Sequence, residues 1–267
     1  MPSRVLSILP EEGFNQLVMT RHGPMLANRH DRYVGASLLK YGEFSAGESQ
    51  IFRQLIPAGA IVVEAGANVG AHTVELSRLV GPNGAVIAFE PQRVVFQTLC
   101  ANLALNSCAN VHAFQAAVGA APGEIMVPFL PPGQPNNFGG LSLLGTQRGE
   151  RVPLRTLDSL GLPNCHLMKL DVEGMETEAL RGAAALVRAH RPFLYVENDR
   201  KDRSAELTQL MLDWDYRLYW HLPPLFSPEN FAGDQENLFG DIVSFNLLGV
   251  ARERNITVQG LREITRA

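Results

Sequence analysis

The chain has 267 residues, 46% of them hydrophobic and 19% charged, with a formal net charge of −4. It is long enough to bury a full core, and its mild acidity and scattered Lys and Arg argue against a polyanion partner, so nucleic-acid binding is disfavoured. No apolar run approaches the roughly 20 residues of a bilayer span, the N-terminal "MPSRVLSILPEEGF" lacks a signal-peptide core, and Cys100, Cys108 and Cys165 form neither a CxxC pair nor a zinc spacing. A cytoplasmic protein without membrane insertion is expected.

In chain order, residues 1–46 read as an irregular N-terminal extension and 47–56 as a helix stopped by Pro57. Strands and helices then alternate: "AIVVEA" (60–65) a strand, 70–80 a helix ended by "GPNG", "AVIAFE" (85–90) a strand, 91–106 a helix with Pro91 in its first turn, and "VHAFQAAV" (111–118) a strand. Residues 119–155 break the rhythm and read as an inserted β-hairpin or lid around "PPGQPNNFGG". It resumes with a strand at 166–172, a helix at 175–190, strands at 193–198 and 216–222 around a helix at 204–214, a long loop at 223–240, and a last strand at 241–250. Residues 47–255 are thus one domain with a tail at 256–267. The order implies a doubly wound, Rossmann-like α/β fold, with seven mostly parallel strands and the last antiparallel. Ligands of such sheets bind beyond the carboxyl ends of the strands, near the switch in strand order.

The turn "EAGANVGAHT" (64–73) leaves the first of these strands. Gly66 and Gly70 are spaced GxxxG, which departs from the GxGxxG of dinucleotide sites and from the GxxxxGK[ST] of phosphate loops. What remains is an acid, Glu64, before the first glycine, and a second acid, Glu90, ending the next strand. This combination suits S-adenosylmethionine. Glu64 faces the ammonium, the helix start faces the carboxylate, and Glu90 accepts hydrogen bonds from the ribose hydroxyls. Ala67, Asn68 and Pro91 complete the lining, and the small Ala116 and Ala117 leave room for the adenine. A helix-packing turn with a surface acid is the bland alternative.

At these residues the chain resembles the FkbM-type methyltransferases, a branch of the class I S-adenosylmethionine-dependent enzymes. The stretches that carry the resemblance are "VVEAGANVGAHT", "AFEPQ", "AAVG", "MKLDVEGMETEALRGA" and "YVEN", in order across residues 62–198. The resemblance implies O-methylation of a sugar or natural-product hydroxyl, and a β-rich insertion that fits 119–155.

"KLDVEGME" places Asp171 and Glu173 at a strand's carboxyl end, as candidates to position a hydroxyl or take its proton; Glu173 is equally suited to cap the next helix. Glu197 ends the neighbouring strand. With Asp171 it forms a candidate shared-proton base, or a weak divalent-cation site that is considered but not predicted; pairing with Arg200 is its structural alternative. His221, at the start of the long loop, is a further candidate base, or a histidine bonded to backbone, and His72 reads as packing beside the cofactor. The expected partner is a small-molecule or glycan acceptor, with a homodimer open. The alternatives are a non-catalytic cofactor-binding module and an NAD(P)-dependent oxidoreductase; the missing middle glycine and the lack of a YxxxK pair count against the second.

Overall fold

The computed structural model describes residues 12–264 and the backbone of Val5–Leu6. The chain opens with β1 (Val5–Leu6), β2 (Asn15–Thr20) and β3 (Gly23–Asn28), a small antiparallel sheet, followed by α1 (Val34–Tyr41) and α2 (Ala46–Leu55). Next come β4 (Ile61–Ala65), α3 (Thr73–Val80), β5 (Ala85–Phe89), α4 (Arg93–Leu105) and β6 (Val111–Phe114). β7 (Ala117–Val118) follows, and the insertion holds β8 (Gly123–Val127) and β9 (Glu150–Arg155). The chain continues through β10 (Leu167–Leu170), α5 (Glu176–Arg181), α6 (Ala184–His190), β11 (Phe193–Glu197), α7 (Lys201–Asp213), β12 (Tyr216–His221), β13 (Asn246–Ala251) and β14 (Arg262–Ile264).

The main sheet has the order β14-β12-β13-β11-β10-β4-β5-β6. From β11 to β6 all neighbours are parallel, while β13 is antiparallel to both β11 and β12. Strand order grows outward in opposite directions from β4 and β10, so the crevice for a ligand lies between their carboxyl ends. Every residue of β10 is buried, as a strand covered on both faces requires. Alternate residues feed two layers. Met168, Leu170, Leu194 and Val196 pack with Leu180, Val187 and Met211 of α5, α6 and α7. Val62, Val86, Leu167 and Tyr195 pack with Phe52, Leu76 and Val80 of α2 and α3.

The structure departs from the sequence expectations at definable points. Residues 15–41, expected to be irregular, hold a hairpin and a helix. The hairpin is pinned to α4: Asn102 Oδ1 accepts from Leu26 N (2.6 Å), and Asn106 Nδ2 donates to Pro24 O (2.8 Å). The strand expected over 111–118 splits, because β7 leaves the main sheet to pair with β9 of the insertion. The helix expected over 175–190 breaks at Gly182, where a Cβ would lie 2.0 Å from Gly119 O; the insertion passes too close for a regular turn. The last strand starts at Asn246, and an eighth strand, β14, comes from the expected tail and covers the edge of β12. Among the described residues no helix is long and apolar enough to cross a membrane.

Candidate active site

The glycine turn after β4 is shaped mainly by the protein's own packing. Gly66 has φ +83°, and a Cβ there would sit 1.8 Å from Asp171 O, so only glycine lets the end of β10 pass. Gly70 (φ +88°) faces Leu99 of α4, whose Cδ1 would lie 2.7 Å from a Cβ. The amides of the turn are occupied. Gly66 N and Ala67 N both donate to Phe89 O (2.9 Å each), and Asn68 N donates to Glu90 Oε2 (3.0 Å). Glu90 Oε1 accepts Gln92 N at 2.8 Å, so the end of β5, the turn and the start of α4 all converge on this one carboxylate.

Above the turn lies a cavity of about 630 Å³, within the usual range of small-molecule sites. Glu64, Gly66, Ala67, Asn68, Glu90, Pro91, Ala116, Ala117, Asp171, Glu173 and Glu197 all line it, as does His72. Two expected residues do not: Gly70 turns to Leu99, and His221 sits on β12, separated from β11 by β13, with Nδ1 2.7 Å from Tyr195 Oη. The N-terminal segment adds Tyr33, Val34, Phe44 and Glu48; the insertion adds Asn137, Gly139, Leu141 and Leu143; the last loop and strand add Leu225, Phe245 and Asn246.

Glu48, Lys169 and Asn246 were not anticipated. Lys169 stands opposite Glu64 in the β10–β4 register, is almost completely buried, and holds Asp171 Oδ2 at 3.1 Å. Burial opposes its charge, but Asp171, Glu64 and Glu48 outweigh this and raise its pKa. The Glu48 carboxylate lies 3.3 Å from His72 Nε2, an ion-pair distance without hydrogen-bond alignment, and accepts Asn246 Nδ2 at 3.2 Å. Burial would push Glu48 up, yet His72 and Lys169 bring it down to about 2. The signal for Lys169 was present in "HLMKLDV": a lysine in the middle of a buried strand needs internal counter-charges.

The remaining carboxyls are pushed the other way. Burial raises Glu90 to about 7 despite its two amide donors. Burial also raises Glu64, against Lys169 and the Thr73 hydroxyl that donates to Oε2 at 2.6 Å. Asp171, Glu173 and Glu197 offer oxygens that lie within 4.8 Å of one another. Burial and then the charge of Asp171 raise Glu173 to about 8, against Arg200, whose Nη2 is 2.5 Å from Oε2. Glu197 is raised well above the carboxylate range by burial and by Asp171 and Glu173, and its Oε2 is a buried oxygen with no hydrogen-bond partner. Lys169 on Asp171 and Arg200 on Glu173 supply the chain's own cations to two of the three acids. Carboxylates in excess of these cations suit a ligand that carries positive charge.

An open, doubly wound sheet with a buried acid at the carboxyl end of β4 and of β5 and an acid-lined cavity at the switch point is the architecture of a class I methyltransferase. A family model described as "Methyltransferase FkbM domain" matches residues 64–218. Methyltransferase 1 from Beauveria bassiana is 30% identical over 148 residues, 47% of this chain and 59% of that protein. Methyltransferase sdnD from Sordaria araneosa is 29% identical over 194 residues, 56% of this chain and 74% of that protein. Among solved structures, the methyltransferase FkbM of Methylobacillus flagellatus aligns with a TM-score of 0.50 and 20% identity over 72% of this chain and 44% of that one. The match therefore spans less than two thirds of the Beauveria protein and of the Methylobacillus chain. The chain belongs to the FkbM methyltransferase family.

Proposed function

We propose that this chain transfers the methyl group of S-adenosylmethionine to a hydroxyl of a small-molecule acceptor, a sugar or a natural product. The observation that carries this reading is Glu197 Oε2, a buried carboxylate oxygen without a partner beside Asp171 and Glu173. A carboxyl with a raised proton affinity and an unpartnered oxygen, on a residue that lines the cavity, suits a proton acceptor for an alcohol. In the reaction the bond from methyl carbon to sulfur breaks as the bond to the acceptor oxygen forms, and the hydroxyl proton passes to Glu197. Asp171, held by Lys169, orients the hydroxyl, and Glu173, clamped by Arg200, keeps the charge on its neighbours unfavourable for a second anion. Positioning supplies much of the remaining rate.

In the same reading Glu90 takes the ribose hydroxyls, Ala116 and Ala117 flank the adenine, and Glu64 faces the ammonium. Because the amides of the turn are occupied, the cofactor's carboxylate falls to the start of α3, where Ala71 and His72 line the cavity. The free thiols of Cys100, Cys108 and Cys165 support a reducing, cytoplasmic setting.

The test is transfer of a carbon-13-labelled methyl group from S-adenosylmethionine to a panel of hydroxylated acceptors, read by NMR. A methoxyl resonance in the product is expected. A label on nitrogen, sulfur or carbon would refute the assignment, and cofactor binding without transfer to any acceptor would favour the non-catalytic module.

A further inference from the structure

The insertion is tied to the N-terminal segment along a seam beside the cavity. Residues 131–138 run next to residues 28–35. Asp31 and Asn136 form a parallel bridge, Arg32 N donates to Asn136 O and Asn136 N to His30 O (3.0 Å each), and Asn28 Nδ2 donates to Pro132 O (3.0 Å). The Asp31 side chain is buried in this seam. Its carboxylate accepts Tyr33 N (3.1 Å) and Gly35 N (2.9 Å) at the start of α1, and also the amide of Phe138 from the insertion. The carbonyl of Phe138 is held as well, by Gln92 Nε2 at 2.6 Å. The Phe138 ring is buried with Val34 and Leu38 of α1 and with Ala67 and Val69 of the glycine turn. Its chain neighbours Asn137, Gly139 and Gly140 line the cavity, whereas Asn28 and Asp31 do not. A Cβ on Gly139 would lie 3.1 Å from Asn68 Nδ2, so the insertion lies directly against the residue whose amide binds Glu90.

We propose that Asp31 is a positioning residue for the cofactor: by clasping Phe138 to the start of α1 it sets Asn137, Gly139 and Gly140 as the wall beside Asn68 and Glu90, and so governs affinity at the adenosine end of the cavity. This rests on the reading above in which Glu90 takes the ribose hydroxyls. Buried amides must find an acceptor, and here one carboxylate serves three of them from two segments distant in sequence. Without it Phe138 N must turn to water, and the residues on either side move with it. Asp31 lines no part of the cavity, so its effect on a ligand passes through the insertion. It also lies outside residues 64–218, so the clasp is supplied by the N-terminal segment and not by the matched domain.

The test reads the clasp and the ligand separately in the full chain. Hydrogen–deuterium exchange followed by mass spectrometry should show residues 131–140 exchanging about tenfold faster in Asp31→Ala than in the wild type. Calorimetric titration should show S-adenosylhomocysteine and 5′-methylthioadenosine, which shares its adenosine end but lacks the amino acid, both bound about tenfold more weakly, the effect of one hydrogen bond to a charged acceptor. Asp31→Asn, which keeps one oxygen acceptor, should fall between the two. Arg151→Ala, which removes an exposed ion pair of the insertion with Glu124, is expected to change neither reading. Unchanged exchange in Asp31→Ala would overturn the clasp. Faster exchange with unchanged affinity, or a loss confined to S-adenosylhomocysteine, would overturn its role toward the cofactor. If Asp31→Ala does not fold, Asn28→Ala, which removes the bond to Pro132 in the same seam, decides by the same two readings. Binding of neither ligand to the wild type would sink the ribose reading instead, and the exchange comparison would still decide the clasp.

Discussion

If Glu90 takes the ribose hydroxyls as proposed, cofactor binding is linked to a proton. In the free protein burial holds its carboxyl at about 7, while Asn68 N and Gln92 N already favour the ionised form. On the proposed assignment, ribose hydroxyls donating to the same oxygens favour that form further, so binding below pH 7 is expected to release a proton. Affinity for S-adenosylhomocysteine is then expected to fall about tenfold for each pH unit below 7 and to level off above it. The sign follows from the raised pKa: protonated Glu90 is the form the free protein prefers, and ionised Glu90 is the form the ligand prefers. Glu90→Ala removes two hydrogen bonds to a charged acceptor. At roughly 1.5 kcal/mol each, the low end for such bonds, affinity should drop by about a hundredfold or more, and the slope below pH 7 should vanish. Isothermal titration calorimetry from pH 5.5 to 8, with the buffer ionisation enthalpy varied, measures both the affinity and the proton released. Flat affinity across this range in the wild type, or an unchanged slope in Glu90→Ala, would refute the ribose assignment.

Other predictions concern the floor and the acids. Lys169→Met leaves Glu48, Glu64 and Asp171 without their shared cation, and urea denaturation at pH 7 should show a loss of about 3–5 kcal/mol, partly recovered on acidification. Glu197→Gln should lower turnover by about 10²–10⁴-fold while leaving S-adenosylhomocysteine affinity unchanged; a parallel loss of affinity would move Glu197 from proton acceptor to cofactor ligand. Because the pKa of Glu197 is raised in the folded state, wild-type stability should fall as pH rises from the ordinary carboxylate range through that raised value, and melting curves of Glu197→Gln should show a shallower fall. EDTA should leave turnover unchanged, since Asp171 and Glu173 already carry Lys169 and Arg200; activity restored only by added divalent cation would contradict this.

Much of the frame was legible because the β-branched strands and the turns between them obey local rules. "AIVVEA", "AVIAFE" and "FLYVEN" place Glu64, Glu90 and Glu197 at strand ends whatever the tertiary detail, and the structure brings all three to one cavity. What sequence could not supply was order across the sheet. His221 follows a strand as Glu197 does, but β13 returns antiparallel between β12 and β11, a non-local choice that displaces His221 from the site. The helix over 175–190 carries an unbroken helical pattern, and its break at Gly182 comes from Gly119, a residue of the insertion. Lys169 was hidden for a different reason. Periodicity treats a charge within an apolar run as an interruption, whereas here three acids from separate segments compensate it.

The walls of the cavity come from both ends of the described chain: Tyr33, Phe44 and Glu48 on one side, Phe245 and Asn246 on the other. Asn246 bonds Glu48 directly, and Tyr41 on α1 is locked to the late loop, its hydroxyl donating to Glu236 O (2.9 Å) and accepting Leu238 N (2.7 Å). During synthesis the glycine turn and the first two acids emerge long before their roof can exist. A chain cut short of Asn246 would therefore lose β13 and one wall of the pocket together, so the last part of the sheet and the closure of the site are completed by the same residues.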